Sequence, residues 1–275
     1  MSSAPAPAKI NLALVVGPLR HDGKHEVVTL MQRVDLHDVV TLESGDALSV
    51  DGFPADTIVA AALEALARAA GVVPGWHVHI EKRIPVAAGL GGGSSDAATA
   101  LLLANQTLDD PLPHGDLAHV AAAVGADVPF FLAEGSQLAT GDGTDLVRAE
   151  LPIGYAVVLV VPNDERKKST RSVYEAFDQR GGADGFAERV GALREALGGV
   201  AEARDLAALP RNDLASSPLA DALLGAGAFR ADVTGAGPTI YGLFDDDAEA
   251  MHAAAALGSC GSTFVTRPVG TLGRP

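Results

Sequence analysis

Hydrophobic spacing changes several times along the chain, and the changes predict a mixed architecture. Residues 8–16 and 34–43 carry Val, Ile and Leu between polar positions, as strands do, with a Gly- and charge-rich turn over 20–26. Over 57–70, Ile58, Ala61, Ala62, Ala65, Leu66 and Ala69 recur at helical spacing behind Asp56, a capping residue type. Trp76, Val78 and Ile80 alternate with His77, His79 and Glu81, the period of a half-buried strand. Helices are expected over 96–106 and 115–124, the second stopped by Gly125. A near-continuous apolar strand follows at 154–161, then polar helices at 172–178 and 186–197 around a Gly-rich break at 181–185. A helix at 217–224, strands at 228–233 and 239–244, and a helix at 246–257 complete the chain. This order is α+β without a solenoid repeat, and Pro152 with Gly154 marks a boundary between units 1–152 and 153–275.

Length agrees with that division, since 275 residues correspond to about two domains at roughly 150 residues each. Charge changes the picture more. Twenty Lys and Arg against 35 Asp and Glu leave a formal charge of −15, a field that repels nucleic acid and anionic membranes. An anionic ligand therefore needs a local exception built from a few cations and backbone amides. The single cysteine, Cys260, has no partner for an internal disulfide and reads as a small residue near a strand. No secretory pattern opens the chain, and the apolar run 156–161 is far short of the roughly 20 residues that span a bilayer. A cytoplasmic setting is expected. His77 and His79 share the polar face of one strand, but with no third ligand nearby they read as exposed or sheet-packing histidines, not a metal site.

The anion site has one strong candidate. Pro85, Val86, Ala87, Ala88, Gly89, Leu90, Gly91, Gly92, Gly93, Ser94 and Ser95 run from a predicted strand into an Ala-rich helix, with Ser94, Ser95 and Asp96 as capping types. Unpaired amides and the positive end of the helix macrodipole at such a junction hold phosphates. The stretch is neither a Walker A loop, for want of Gly-Lys-Ser/Thr, nor a G-x-G-x-x-G loop, because Ser94 stands at the last glycine position. A flexible connector is the plain alternative; the serines and the strand–loop–helix context favour binding. Asp127, between Gly125 and Pro129, is expected on a turn between a helix and a strand, and its spacing alone also fits an ordinary turn residue.

Residues 85–98 resemble the second motif of the GHMP family of small-molecule kinases, and two further stretches agree in order: Ala6-Pro7-Ala8-Lys9-Ile10-Asn11-Leu12 and Thr234-Gly235-Ala236-Gly237-Pro238-Thr239. Asp22-Gly23-Lys24-His25-Glu26, Gly125-Ala126-Asp127-Val128-Pro129 and Asn212-Asp213-Leu214 are similar to the branch that phosphorylates a cytidine diphosphate-linked methylerythritol at its 2-hydroxyl in the non-mevalonate isoprenoid pathway. The resemblance spans essentially the whole chain. It implies a ribosomal-protein-S5-like N-terminal domain, a ferredoxin-like C-terminal domain and a ligand cleft between them. It implies Asp127 as catalytic base and Lys9 as its cationic partner; Asn11, Lys24, His25 and Thr170 toward the substrate; residues 85–95 and Asp56 toward ATP; and Gly235 and Gly237 in a loop supporting the first glycine loop. Mg²⁺ is implied with the ATP, its ligands unassigned apart from Ser94 or Ser95 as candidates. A monomer or weak homodimer with a small-molecule substrate is the expected state. Two positions depart from the pattern: Lys24 replaces an aromatic that stacks on cytosine, where a lysine stem can cover the base face, and Asp56 replaces Asn near the adenine. The basic run Arg166, Lys167, Lys168 and Arg171 reads as a solvated loop first and a phosphate contact second. Lys24 keeps a second reading open, a kinase for another small alcohol of the homoserine or mevalonate class. A catalytically silent nucleotide-binding regulator is the third, against which Lys9 and Asp127 speak.

Overall fold

The computed structural model describes residues 1–53, 58–163 and 169–270. Two antiparallel-dominated sheets carry the fold, and the first strand is shared between their cores. Strand β1 (Ser2–Leu19) and strand β2 (His25–Ser44) form one long hairpin, much longer than the predicted strands. Its pairing register shifts at Pro7/Ala8, Asn11/Ala13 and Val16/Leu19. Residues 6–17 and 27–34 are buried on both faces, so the apolar/polar alternation that marks a half-exposed strand is missing there.

Strand β3 (Ser49–Asp51), helix α1 (Ile58–Ala70), strand β4 (Trp76–Glu81), helices α2 (Gly92–Asn105), α3 (His114–Val124) and α4 (Val128–Leu132), and strands β5 (Ser136–Thr140) and β6 (Asp145–Ala149) complete the first half. The sheet order is β3-β4-β2-β5-β6, with β1 pairing on β2. Helix α1 buries Val59, Ala62, Leu63, Leu66 and Ala67, a face rotated from the predicted one. The larger Val and Leu side chains remove more apolar area from water than Ala61 or Ala69, and they set the buried face. Helix α2 is buried nearly all round, and its alanines let α1, α4 and the sheet approach it closely.

In the second half, strands β7 (Ala156–Pro162), β8 (Arg230–Val233), β9 (Ile240–Phe244) and β10 (Gly261–Thr266) order as β10-β7-β9-β8. Helices α5 (Thr170–Gln179), α6 (Phe186–Gly198), α7 (Pro218–Gly225) and α8 (Asp247–Leu257) and a 3₁₀ turn Ala203–Ala208 surround it. One face buries Val158, Val160, Ile240 and Phe244 beneath α7 and α8. The other, with Tyr155, Val157, Leu159, Tyr241 and Leu243, packs on Ile10, Leu12 and Val15 of β1. Arg230 pins that junction: its Nη2 donates to the Leu12 carbonyl at 2.6 Å and its Nη1 to the Leu209 carbonyl at 2.6 Å, while the Tyr241 hydroxyl donates to Leu12 at 3.1 Å. No helix among the described residues is long and apolar enough to cross a membrane. Strands β3, β5, β6 and β10 were not legible from spacing. β6, for instance, is an edge strand with three exposed positions out of five and no apolar stripe to display.

Candidate active site

Lys9 and Asn11, two apart in an unshifted stretch of β1, point from the same face of the strand into one cleft. Lys9 is only 4% exposed, and its Nζ donates to Asn11 Oδ1 at 2.6 Å and lies 3.6 Å from Asp127 Oδ2. Asn11 is held in turn: its Nδ2 donates to Thr29 Oγ1 at 2.8 Å and its backbone amide to Thr234 Oγ1 at 3.0 Å. Asp127 lies between α3 and α4, at the N-cap of α4, and not before a strand as expected; Pro129 opens a helix there, as proline does at a first turn. Its side chain makes no capping bond and is 41% exposed, so the carboxylate is available to a ligand.

The glycine loop reaches the same cleft. The Lys9 amide donates to the Leu90 carbonyl at 2.9 Å and the Thr239 amide to the Ala88 carbonyl at 3.3 Å, joining the loop to β1 and to the C-terminal glycine loop. Gly235 sits where an added Cβ would lie 3.4 Å from Asn11 Oδ1 and 3.6 Å from Lys9 Nζ, and Asn212 Nδ2 donates to its carbonyl at 2.6 Å. Helix α2 begins at Gly92, four residues before the predicted start, because Gly91 takes a left-handed φ of 71° as the N-cap. Ser94, Ser95 and Asp96 therefore lie inside the first turns instead of capping them. Among the described residues the amides of Gly92, Gly93 and Ser94 have no partner at this terminus, and all three residues line the cleft. Ser95 does not: it is fully buried, its amide donates to Gly91 and its hydroxyl has no partner.

Below the loop lies a charge cluster that spacing did not suggest. Lys82 Nζ donates to Asp38 Oδ2 at 2.5 Å and to Asp96 Oδ2 at 2.7 Å, while Asp38 Oδ1 accepts from the amides of Arg83 and Ile84 that lead into the loop. Burial pushes the Asp96 carboxyl up to about 7, against the pull of the Lys82 ammonium. Burial also works against the ammonium, but its two carboxylate partners outweigh this and hold it above the ordinary lysine value.

The far end of the cleft is aromatic. His25 is buried, with Nδ1 2.9 Å from the Gly17 carbonyl, which makes that nitrogen the donor, and Nε2 3.4 Å from Asp178 Oδ2. The Tyr174 ring stacks on His25 at 4.9 Å between centroids, and Phe177 meets His25 edge-on at 5.8 Å. Burial and the charge of Asp127 push the Tyr174 phenol up to about 12. Tyr174 was missed in the sequence, although an aromatic four residues beyond Thr170 on a polar helix was a usable signal. Thr170 and Tyr174 both line the cleft. Lys24 stands at its rim, where Nζ donates to Asp142 Oδ2 at 2.6 Å, and this bond first of all holds the Asp142 carboxyl down at about 2. Asp56, Arg166, Lys167 and Lys168 lie outside the described residues.

Lys9, Asp127, the glycine loop, Lys82, His25 and Tyr174 all line one cleft of about 1090 Å³, large enough for two ligands of nucleotide size. Residues 57–135 match the GHMP kinases N terminal domain and residues 190–263 the GHMP kinases C terminal domain; the chain belongs to the GHMP kinase family, ATP-dependent small-molecule kinases of α+β fold. Within it, the chain is 36% identical over 273 residues to the 4-diphosphocytidyl-2-C-methyl-D-erythritol kinase of Salinispora tropica, covering 91% of this chain and 86% of that one. To the kinase of the same name from Chlorobium chlorochromatii it is 33% identical over 281 residues, covering 96% and 95%. The crystal structure of a 4-(cytidine 5'-diphospho)-2C-methyl-D-erythritol kinase superposes with a TM-score of 0.79 at 30% identity, covering 98% of this chain and all of the other.

Proposed function

We propose that the protein transfers the γ-phosphoryl group of ATP to the 2-hydroxyl of 4-diphosphocytidyl-2-C-methyl-D-erythritol. The observation that carries this reading is the ion pair of Lys9 and Asp127 standing beside the three free amides of α2 in one cleft. Those amides and the α2 dipole cradle the phosphates of ATP. Asp127 accepts the proton of the 2-hydroxyl as its oxygen attacks the γ-phosphorus. The bond from that phosphorus to the bridging oxygen breaks, and ADP leaves. Lys9, 3.6 Å from Asp127, meets charge on the transferred group. Asn11, bonded to Lys9, fixes the direction of the ammonium.

His25 reads the base edge and Tyr174 offers it a stacking face, the role that Lys24 gives up by engaging Asp142. Thr170 faces the diphosphate. Among the described residues no cluster of three or more His, Cys, Asp or Glu could hold a metal ion, which suits a Mg²⁺ carried largely by phosphates and water. The Ser94 hydroxyl would hold it, and the ion would neutralise charge on the phosphates. The division into 1–152 and 153–275 puts the Lys9–Asp127 pair and the first glycine loop in one unit and the loop of Gly235 and Gly237 in the other. A cytoplasmic monomer or weak homodimer without nucleic-acid or membrane partners fits the formal charge of −15.

The test is coupled ADP release with the cytidyl substrate, mevalonate and homoserine in parallel. Turnover of the cytidyl substrate is expected, and Asp127→Asn lowers it by about 10²–10⁴. Turnover of mevalonate or homoserine alone, or a fully active Asp127→Asn, overturns the proposal.

A further inference from the structure

The aspartate read as the catalytic base is carried by a very short helix that is held from outside, by burial of all five of its residues and by bonds to its carbonyl end. Helix α4 is only five residues long, Val128–Leu132, too short to stand by its own backbone bonds. Asp127 makes no capping bond of its own, so its distance from Lys9 depends on where α4 sits. What fixes the other end of that helix is Arg33, a residue without a place in the motifs. It is 1% exposed and lies directly across the β1–β2 ladder from Lys9. Its Nη1 donates to the Gly135 carbonyl at 2.7 Å, and its Nη2 donates to the carbonyls of Phe130 and Ala133. The guanidinium carbon stands 4.6 Å over the Phe130 ring.

The cation thus closes the carbonyl end of α4, where the helix dipole favours positive charge, while Asp127 occupies the opposite end. Phe131, from the same helix, abuts Gly91 of the glycine loop: an added Cβ there would meet the Phe131 ring and Lys9 Cγ, each at 3.0 Å. Lys9, the glycine loop and α4 are one packed unit, tied to β2 through Arg33. The arginine is also costly to keep. Its Nε is buried without a hydrogen-bond partner, and burial pulls the guanidinium down to about 10, although the Glu134 carboxylate supports its charge.

We propose that Arg33 is a positioning residue for phosphoryl transfer: by clamping the C-terminal carbonyls of α4 to the strand opposite Lys9, it sets the separation of Lys9 and Asp127. The inference rests on the reading of that pair as the catalytic one. Lysine keeps the charge but has one head for three carbonyls spread over a turn, and methionine has none.

The experiment measures kcat and KM for ATP and for the cytidyl substrate in Arg33→Lys and Arg33→Met, each alone and combined with Asp127→Asn, together with crystal structures of the single variants. A misplacement of about 1 Å costs up to roughly 10²-fold. Arg33→Met is expected to lose about 10–100-fold in kcat with both KM values within about threefold, and Arg33→Lys to fall between it and the parent. In the Asp127→Asn background the same change is expected to cost less than about twofold more, since two residues acting through one group are not additive. An undiminished kcat, or an equal loss in that background, overturns the proposal. Should Arg33→Met not fold, Arg33→Lys decides by the same measures. A parent enzyme that does not turn over the cytidyl substrate sinks the proposed function instead. The crystal structures then judge Arg33 alone: a Lys9–Asp127 separation unchanged from 3.6 Å in both variants refutes it.

Discussion

Replacing Gly89 with alanine tests the contact between the two glycine loops. Gly89 has φ +81°, and a Cβ built on it would lie 2.9 Å from the carbonyl oxygens of both Gly237 and Thr234. Both obstacles are backbone, so no side chain can swing aside. The left-handed conformation alone costs an L-residue roughly 1–2 kcal/mol. Forcing a methyl into a closed contact costs about 1–3 kcal/mol more, for a sum of about 2–5 kcal/mol. In a chain of 275 residues each kcal/mol lowers Tm by about 2 °C, so a fall of roughly 4–10 °C is expected if the loops stay together. If they part to make room, the loss moves from Tm to nucleotide binding and the KM for ATP rises several-fold. Thermal unfolding and initial-rate kinetics on the same preparation read both arms. Gly115→Ala is the control: nothing lies within 4 Å of its Cβ and its φ is ordinary, so Tm holds or rises slightly. Gly89→Ala with Tm within 1 °C and an ATP KM within about twofold of the parent refutes the reasoning.

Asp96 makes a prediction about pH. Its carboxyl is raised to about 7 in the folded protein, first by burial, so the folded state binds a proton the unfolded state has already lost. Stability therefore falls as pH rises from about 4 through 7, and Asp96→Asn should raise Tm at pH 8 while the gap closes by pH 5. A gap that is constant with pH refutes this. Tyr174→Ala removes the stacking face beside His25, worth about 1–3 kcal/mol per base, so the cytidyl-substrate KM should rise roughly 5–150-fold with the ATP KM little changed; Tyr174→Phe keeps the ring and should stay near the parent. Equal effects of the two substitutions on substrate KM would refute a stacking role.

What the sequence displayed and what it hid differ for physical reasons. The glycine loop was legible because left-handed backbone and free amides need glycine at particular positions, but the start of α2 was misread since Gly91 serves as its own kind of cap. β1 and β2 show little alternation because residues 6–17 and 27–34 are buried on both faces, and only parts of each read as strands. Capped, apolar segments such as α8 came through, with Asp246 accepting from the Glu249 amide where a capping type was visible. Lys9 and Asp127 lie 118 positions apart, so only the resemblance could pair them in advance; the packing of α4 beside β1 brings them to 3.6 Å. Arg33 had no signature at all, and Tyr174 only its place four residues beyond Thr170. One is a cation whose partners are carbonyls, and the other is a ring whose partner comes from the far hairpin.

The acidity of the chain constrains how an anion can bind here. Each lysine or arginine lining the cleft among the described residues is already paired with a carboxylate: Lys9 with Asp127, Lys24 with Asp142, Lys82 with Asp38 and Asp96, Arg171 with Glu175. None of them presents a net positive charge to an approaching phosphate. The amides of Gly92, Gly93 and Ser94 have no such counter-charge among the described residues, and they do not titrate. Attraction must therefore begin at the helix terminus, and the lysines contribute only once a phosphate is close enough to share an ammonium with its carboxylate. Sharing leaves the carboxylates facing added negative charge, which favours taking up a proton or releasing one partner. Asp96, its carboxyl raised to about 7 by burial and with one oxygen unpartnered among the described residues, is the group behind Lys82 best able to take the proton. Asp127 stands apart from that cluster: exposed, uncapped and 3.6 Å from Lys9 Nζ, its carboxylate is open to a substrate hydroxyl, the access that the base proposed above requires.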